Sequence, residues 1–398
     1  MADNYSALCI QDNVISAKEL NILIVAGEVS GDQHGAELIR ALKPKLPEIQ
    51  FYGIGGDEMI KEGLRAAVHI RDVAFMGFAE VIKHIPYMMG IRKRLMNLSD
   101  EKSIRFHIYI DYPGFNLSLA KKSKEAGRKN IYYIAPQIWA WGQKRAFKIR
   151  RIIDKLLVIN PFEVDFYKKY GVEAVYTGHP LVHKMAEYKY KSREELNGLL
   201  GLDPGKDILV IMPGSRKQEI SKIFIPAAEG AKMLCEKFNL QGVVLAAPSV
   251  NSGLLEEIAK KNKLIVTDKY NYDLMKEARF GVIKSGTSTL EAAISGLPHT
   301  VVYSTTALTY NISRMLIKID KIALANIING KIVVPELIQE RCTPEMIFEE
   351  GSKILSSPEL YANTVNELKN VKNILGNNNS AEVAADEILS FIRNNEKD

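Results

Sequence analysis

The sequence predicts an α/β protein built from two doubly wound, Rossmann-like domains. Three observations point there. Ten short runs rich in β-branched and aromatic residues recur along the chain, each followed by a polar stretch compatible with a helix. Such alternation makes βαβ units and parallel sheets. The chain has 398 residues, more than one hydrophobic core usually serves. A polar seam, Leu181–Pro204, rich in Lys and Glu, separates the first five runs from the last five. A single ten-stranded sheet would use the same runs but is large for an open sheet. The expected domains are 20–183, 184–350, and a closing helical segment, 351–398.

The first five runs are Ile22–Ala26, Phe51–Ile54, His107–Ile110, Ile131–Ile134 and Leu156–Ile159. The second five are Ile208–Met212, Gly242–Ala246, Leu264–Val266, Phe280–Ile283 and Thr300–Tyr303. They are nearly continuous apolar stretches, as strands covered by helices on both faces require. After Pro358, the spacing of Leu360, Val365, Leu368 and Val371 predicts a helix, and Ala381–Arg393 a last one.

Hydrophobic residues make up 46% of the chain and charged residues 25%, which excludes wholesale disorder. Lys and Arg number 53 against 47 Asp and Glu, a net +6. That suits an anionic small molecule or membrane surface and is too diffuse to imply nucleic acid. Three cysteines, far apart and without a CxxC pair, predict a reducing compartment. The first 17 residues lack Lys and Arg, which argues against a secretory signal, and no apolar run is long enough for a membrane span. Neither HxxxH nor HExxH occurs, and no metal site is expected.

The chemistry-bearing motifs follow strands. The first run enters Gly27-Glu28-Val29-Ser30-Gly31-Asp32, with a helix expected over Ala36–Leu42. Glu28 and Asp32 would repel a pyrophosphate and suit a hydroxyl-rich ligand; Asp32 as a helix cap is the alternative. Asp111 stands where the third run ends, before Pro113-Gly114. There it can serve as general base for a hydroxyl nucleophile, or cap the next helix. Gln137, Trp139, Trp141, Lys144 and Arg145 follow the fourth run, and basic groups beside aromatics suit an anionic sugar or phosphate. A solvated basic helix anchored by Trp is the plainer reading.

In the second half, Ile208–Met212 runs into Pro213-Gly214-Ser215-Arg216, and Phe280–Ile283 into Lys284-Ser285-Gly286-Thr287-Ser288-Thr289-Leu290-Glu291. A Gly-rich turn opening a helix forms an anion site, and Arg216 can neutralise a diphosphate. Glu291 could accept from a ribose diol, or complete a capping box with Thr287 or Ser288. Finally, Phe75, Met76, Phe78, Ile82, Ile85, Met88 and Met89 precede Arg92-Lys93-Arg94. Apolar residues beside a basic run fit an anionic bilayer or acyl chains; an ordinary core helix is the alternative, and Pro86 predicts two short helices there.

Taken in order, AGEVSGD (Ala26–Asp32), IDYPGFN (Ile110–Asn116), APQIWAWGQKR (Ala135–Arg145), NPFEVDFYKKYGV (Asn160–Val172), TGHPLV (Thr177–Val182), MPGSRKQEI (Met212–Ile220) and SGTSTLEAAISGLP (Ser285–Pro298) closely resemble the lipid-A-disaccharide synthases. The resemblance spans about Ile22 to Glu340 and implies a GT-B fold, two Rossmann-like domains facing across a cleft, with C-terminal helices returning to the N-terminal domain. It implies an inverting, metal-independent hexosyl transfer without a cofactor. UDP-2,3-diacylglucosamine gives its sugar to the 6-hydroxyl of 2,3-diacylglucosamine 1-phosphate (lipid X), on the cytoplasmic face of the inner membrane. Asp111 becomes the catalytic base. Ser215, Arg216, Ser285, Gly286, Thr287, Thr289, Glu291 and Asn326 become UDP contacts. Glu28, Ser30, Asp32, Gln137, Trp141, Lys144 and Arg145 become acceptor candidates. The segment Phe75–Leu98, through Phe75, Met76, Phe78, Ile82, Ile85, Met88 and Met89, becomes the acyl and membrane contact, and a homodimer is left open. The rivals are another UDP-N-acetylglucosamine enzyme of this fold, such as a peptidoglycan transferase or 2-epimerase, and a silent nucleotide-sugar-binding or membrane-docking protein.

Overall fold

The computed structural model describes residues 20–73, 84–214, 217–247, 252–306, 310 and 320–396. Ser215, Arg216, Phe75, Met76, Phe78 and Ile82 lie outside them. By its contacts the chain divides into two units: residues 1–136, 149–157 and 384–398 form the first, residues 137–148 and 158–383 the second.

The first sheet contains β1 (Leu20–Ala26), β2 (Ile49–Gly55), β3 (Leu64–His69), β4 (Phe106–Ile110), β5 (Lys129–Tyr133), β6 (Lys155–Val158) and β7 (Ala174–Tyr176). Its order is β3-β2-β1-β4-β5-β6-β7. The second contains β8 (Asp207–Met212), β9 (Leu240–Leu245), β10 (Ile265–Thr267), β11 (Ala278–Lys284), β12 (His299–Tyr303) and β13 (Glu336–Ile338), in the order β10-β9-β8-β11-β12-β13. Each sheet grows outward in both directions from a first strand, β1 or β8, which pairs in parallel with a strand on either side. The winding reverses between β1 and β4, and between β8 and β11. At such switch points the loops leave a crevice at the strands' carboxyl ends.

All ten expected runs form strands. Three more, β3, β7 and β13, were not expected. Each stands at or next to a sheet edge, and β7 and β13 have three residues apiece. An edge strand is covered less completely, so its sequence carries no continuous apolar run. Leu64–His69 reads Leu-Arg-Ala-Ala-Val-His, with Arg65 and Ala66 exposed.

Helix boundaries also differ from expectation. The first helix begins at Val29, so Asp32 lies inside its first turn. Pro86 sits in the first turn of a 17-residue helix, Ile85–Glu101, where its missing N–H is no loss; the other short helix expected before it falls outside the described residues. Among the described part of this segment, Ile85 and Met89 are exposed and Met88 is half-buried. The closing segment is shared. Leu368, Val371 and Leu375 of the helix Pro358–Leu375 pack on Leu290, Ala293 and Val301 of the second unit. In the first unit, Phe391 meets the Phe106 ring edge-on at 6.4 Å, and the Arg105 guanidinium donates to the Asn395 carbonyl at 3.1 Å. No helix among the described residues is long and apolar enough to cross a membrane.

Asp32 shows how the first unit's loops are fixed. Its buried carboxylate accepts from the backbone N–H groups of Gly56 (2.6 Å), Glu58 (3.1 Å) and Met59 (3.1 Å), which open the helix Asp57–Lys61. Asp32 therefore caps a neighbouring helix, not its own. Asp32→Ala strands three donors, two of them buried. It should lower the unfolding free energy by about 3 kcal/mol; a urea midpoint identical to that of the unaltered chain would contradict this role.

Candidate functional site

In the first unit the site forms where β1 and β4 end side by side, with Ala26 in register with Ile110. The chain leaves β4 through two successive residues of positive φ, Asp111 at 43° and Tyr112 at 49°. Neither is glycine, so the turn needs support from outside. Asn116, fully buried, donates its side-chain amide to the carbonyls of Asp111 (2.8 Å) and Ile110 (3.2 Å). The Tyr132 hydroxyl donates to the Asp111 carbonyl at 2.6 Å. The Tyr112 ring lies against Gly27, where an added Cβ would come within 2.2 Å of it, and the Tyr112 hydroxyl donates to the Val73 carbonyl at 3.0 Å. Only glycine permits that approach at position 27.

These restraints leave the Asp111 carboxyl half-buried. The next helix, Pro113–Glu125, takes Tyr112 as its N-cap without a side-chain cap, so Asp111 is not consumed as one. Burial and the neighbouring Glu28 carboxylate push the Asp111 pKa up to about 6, against opposing effects of the Tyr112 N–H and His34. Glu28 and Ser30 are exposed at the start of the first helix, whose N-cap, Glu28, makes no side-chain cap bond.

In the second unit, a cavity of about 580 Å³ is lined by Ser285, Gly286 and Thr287 after β11, by Gln137, Trp139 and Ala140, by Tyr303 at the end of β12 and Thr305 beyond it, and by Asp320, Ile322 and Leu324 among others. Gly286, with φ 149°, is the N-cap of the helix Thr287–Ile294, and no side chain caps that end. The capping box is therefore not formed; the Thr289 N–H bonds the Gly286 carbonyl at 3.1 Å, and the N–H groups of Thr287 and Ser288 keep their capacity for an anion. Ser285 is tied to the wall by its hydroxyl, which donates to the Ile322 carbonyl at 3.2 Å.

The other expected UDP contacts lie behind this surface. The Thr289 hydroxyl donates to the Gly286 carbonyl at 2.8 Å. Glu291, half-buried, is bonded by Tyr272, and burial raises its pKa. Asn326 is fully buried, its amide spent on Val334 (2.9 Å) and Glu336 (2.8 Å) and its carbonyl on the Val333 and Val334 N–H groups. Glu336 also accepts from the Ile322 and Ala323 N–H groups, which fixes the segment carrying Ile322 and Leu324.

Among the acceptor candidates, Gln137 lines this same cavity. Trp141, Lys144 and Arg145 are exposed, with the Arg145 guanidinium 4.2 Å from the Trp141 ring centre. Trp139 is buried, donates its indole N–H to Glu163 at 3.0 Å, and meets Phe162 edge-on at 4.9 Å. Sequence reading missed Glu163, Glu336, Tyr132 and the cavity lining from Tyr303 onward. Glu163 lay in a quoted motif, but nothing local marks its partner 24 residues away.

A family profile described as lipid-A-disaccharide synthetase matches residues 22–389. The chain belongs to that family. A lipid-A-disaccharide synthase of Geobacter metallireducens is 36% identical over 95% of this chain and 98% of its own length. One of Nitrosococcus oceani is 38% identical over 89% and 92%. The family's enzymes are glycosyltransferases. Solved structures share the GT-B fold at low identity. A glycotransferase of kitacinnamycin superposes with TM-score 0.65 at 13% identity, covering 94% of this chain and 99% of its own. A UDP-GlcNAc 2-epimerase from Neisseria meningitidis, bound to UDP-GlcNAc, gives 0.60 at 12%, covering 93% and 100%.

The raised Asp111 pKa carries a stability consequence. The folded protein favours the neutral acid, so this group's contribution is full below about pH 4 and is lost as pH rises through about 6. Asp111→Asn removes the penalty. The variant should be more stable by about 2 kcal/mol at pH 7.5, a figure reduced for partial solvation, and the gain should vanish near pH 4. Parallel denaturation at the two pH values measures it; a destabilised variant at pH 7.5 would overturn the electrostatic account.

Proposed function

We propose that this chain transfers 2,3-diacylglucosamine from UDP-2,3-diacylglucosamine to the 6-hydroxyl of 2,3-diacylglucosamine 1-phosphate. The products are the β-1,6-linked disaccharide 1-phosphate and UDP. Family membership over nearly the whole chain sets the reaction class. The observation that carries the mechanism is a half-buried carboxyl, Asp111, held uncapped at the switch point of the first sheet.

The acceptor's O6 attacks C1 of the donor sugar, the C1–O bond to the diphosphate breaks, and UDP leaves with the electron pair. The O6 proton passes to Asp111. A pKa of about 6 leaves this group ionised at neutral pH yet more basic than an ordinary carboxylate, which suits a general base. The leaving diphosphate gathers charge at the uncapped helix end Gly286–Thr287, with Ser285 beside it and Arg216 as counter-charge. Thr289, Glu291 and Asn326 serve that site by shaping it. Glu28, Ser30, Gln137, Trp141, Lys144 and Arg145 are the acceptor-side candidates, and Asp32 supports them through the loop it caps. Ile85, Met88 and Met89, with Phe75, Met76, Phe78 and Ile82, would meet acyl chains or an anionic inner-membrane surface from the cytoplasmic side. In domain terms, 20–183 would serve the acceptor, 184–350 the UDP-sugar, and 351–398 would return toward the first.

Asp111→Ala should cut turnover at least roughly 100-fold while UDP binding is unchanged. Mass spectrometry of the product from the two diacylated substrates reads it; near-normal turnover would remove Asp111 from the role. The pH profile gives a second check. Activity should fall on the acid side with a midpoint near 6, as the base is protonated. Glu28→Gln removes a repelling charge and should move that midpoint to lower pH; an unmoved midpoint would show that Glu28 does not act on the base.

A further inference from the structure

We propose that Glu163 is a positioning residue for the nucleotide cavity, acting through the indole of Trp139. The inference rests on reading that cavity as the uridine diphosphate site. Glu163 is 1% exposed, and among the described residues no cation pairs with it. Its carboxyl gathers donors from three residues, the Ile159 backbone N–H among them. Oε2 accepts from the Asn160 backbone N–H (3.0 Å) and side-chain amide (3.2 Å), closing the capping box of the helix Pro161–Lys168. Oε1 accepts from the Trp139 indole N–H.

The helix cap needs only one of these oxygens. The buried indole N–H would be an orphan donor if the ring turned away from Glu163, and such an orphan is costly. Trp139 is therefore held in one orientation. Phe162 fixes its ring edge-on, and the Gln143 side chain donates to its carbonyl at 3.0 Å. Gln143 in turn accepts from the Tyr170 hydroxyl at 3.2 Å. This clamped residue lines the same cavity as Ser285, Gly286 and Thr287, between Gln137 and Ala140 on the chain. Glu163 itself does not line it. Burial pushes the Glu163 pKa up to about 7, the expected cost of an unpaired carboxyl kept for its hydrogen bonds.

The decisive test is a double-substitution cycle on the full chain, read by steady-state kinetics with the UDP-sugar donor. In Glu163→Gln one oxygen becomes a donor, facing either the indole N–H or the Asn160 N–H. The donor KM should rise about 10-fold with kcat within about 3-fold. Trp139→Phe keeps an aromatic ring but removes the indole N–H. In that background Glu163→Gln should add less than about 2-fold, because its effect passes through the indole. An undiminished effect in the Trp139→Phe background, or an unchanged donor KM in Glu163→Gln, would overturn the proposal.

A second measurement does not depend on turnover. The chain has two tryptophans, so Trp141→Phe leaves Trp139 as the single indole emitter. Its emission should respond to added UDP, and Glu163→Gln on top should shift that emission to the red before UDP is added. Emission indifferent to UDP in a chain that binds UDP by calorimetry would overturn the role of Trp139. A chain that binds no UDP at all would instead overturn the reading of the cavity.

Discussion

The turn after β4 is the constraint on which the rest of the chemistry depends. Two consecutive non-glycine residues in the left-handed region cost on the order of 1–3 kcal/mol each and persist only where the surroundings over-determine them. Here the surroundings do so three times: the Asn116 amide and the Tyr132 hydroxyl grip the Asp111 carbonyl, and the Tyr112 ring is wedged against Gly27. The strain has a use. A chain entering a helix smoothly from β4 would offer Asp111 as a cap and spend its carboxylate on backbone N–H groups. The kinked chain caps the helix with Tyr112 and keeps the carboxyl for other work. A third left-handed residue, Ile134 at φ 60°, follows the adjacent strand β5 and opens the Ala135–Arg145 segment. A β-branched residue rarely tolerates this conformation, and its place at the next strand end puts both distortions at the same rim of the sheet.

The carboxylates of this protein sort into two kinds by what touches them. Asp32, Glu163 and Glu336 are organisers. Each gathers backbone or side-chain N–H groups from segments distant in sequence and fixes a loop: Asp32 the start of the helix Asp57–Lys61, Glu163 the Trp139 loop, Glu336 the segment that begins at Ile322. Asp111 is of the other kind. It has one local backbone donor and a like-charged neighbour, and its environment favours the proton. The same residue type thus supplies rigidity where donors converge on it and reactivity where they do not. The second sheet repeats the logic without a carboxylate: at the end of β11 an uncapped helix start is left open beside Ser285, as Asp111 is left uncapped at the end of β4.

Much of this was legible along the chain. The continuous apolar runs announced every interior strand, because a strand covered on both faces by helices must be apolar throughout. The motifs after β1, β4, β8 and β11 fell at the two switch points, where the sheet order reverses. What stayed hidden were the edge strands β3, β7 and β13, which need no such run, and the partners of polar residues. Ser288 and Glu291 have the spacing of a capping box, yet Glu291 turns to Tyr272 and Gly286 is the N-cap. Asn326 is tied by its side chain to Val333, Val334 and Glu336, partners that its sequence neighbourhood does not announce.

The sequence by itself determined the family, the βαβ alternation and the positions of the reactive turns, since these depend on residue type and local spacing. Tertiary structure decided which polar side chain at each turn is spent and which is free. That choice is made by donors and acceptors arriving from other strands and helices, such as Gly56 on Asp32 or Trp139 on Glu163, and hydrogen-bond satisfaction in a buried site is a property of what folds against a residue, not of what precedes or follows it in the chain.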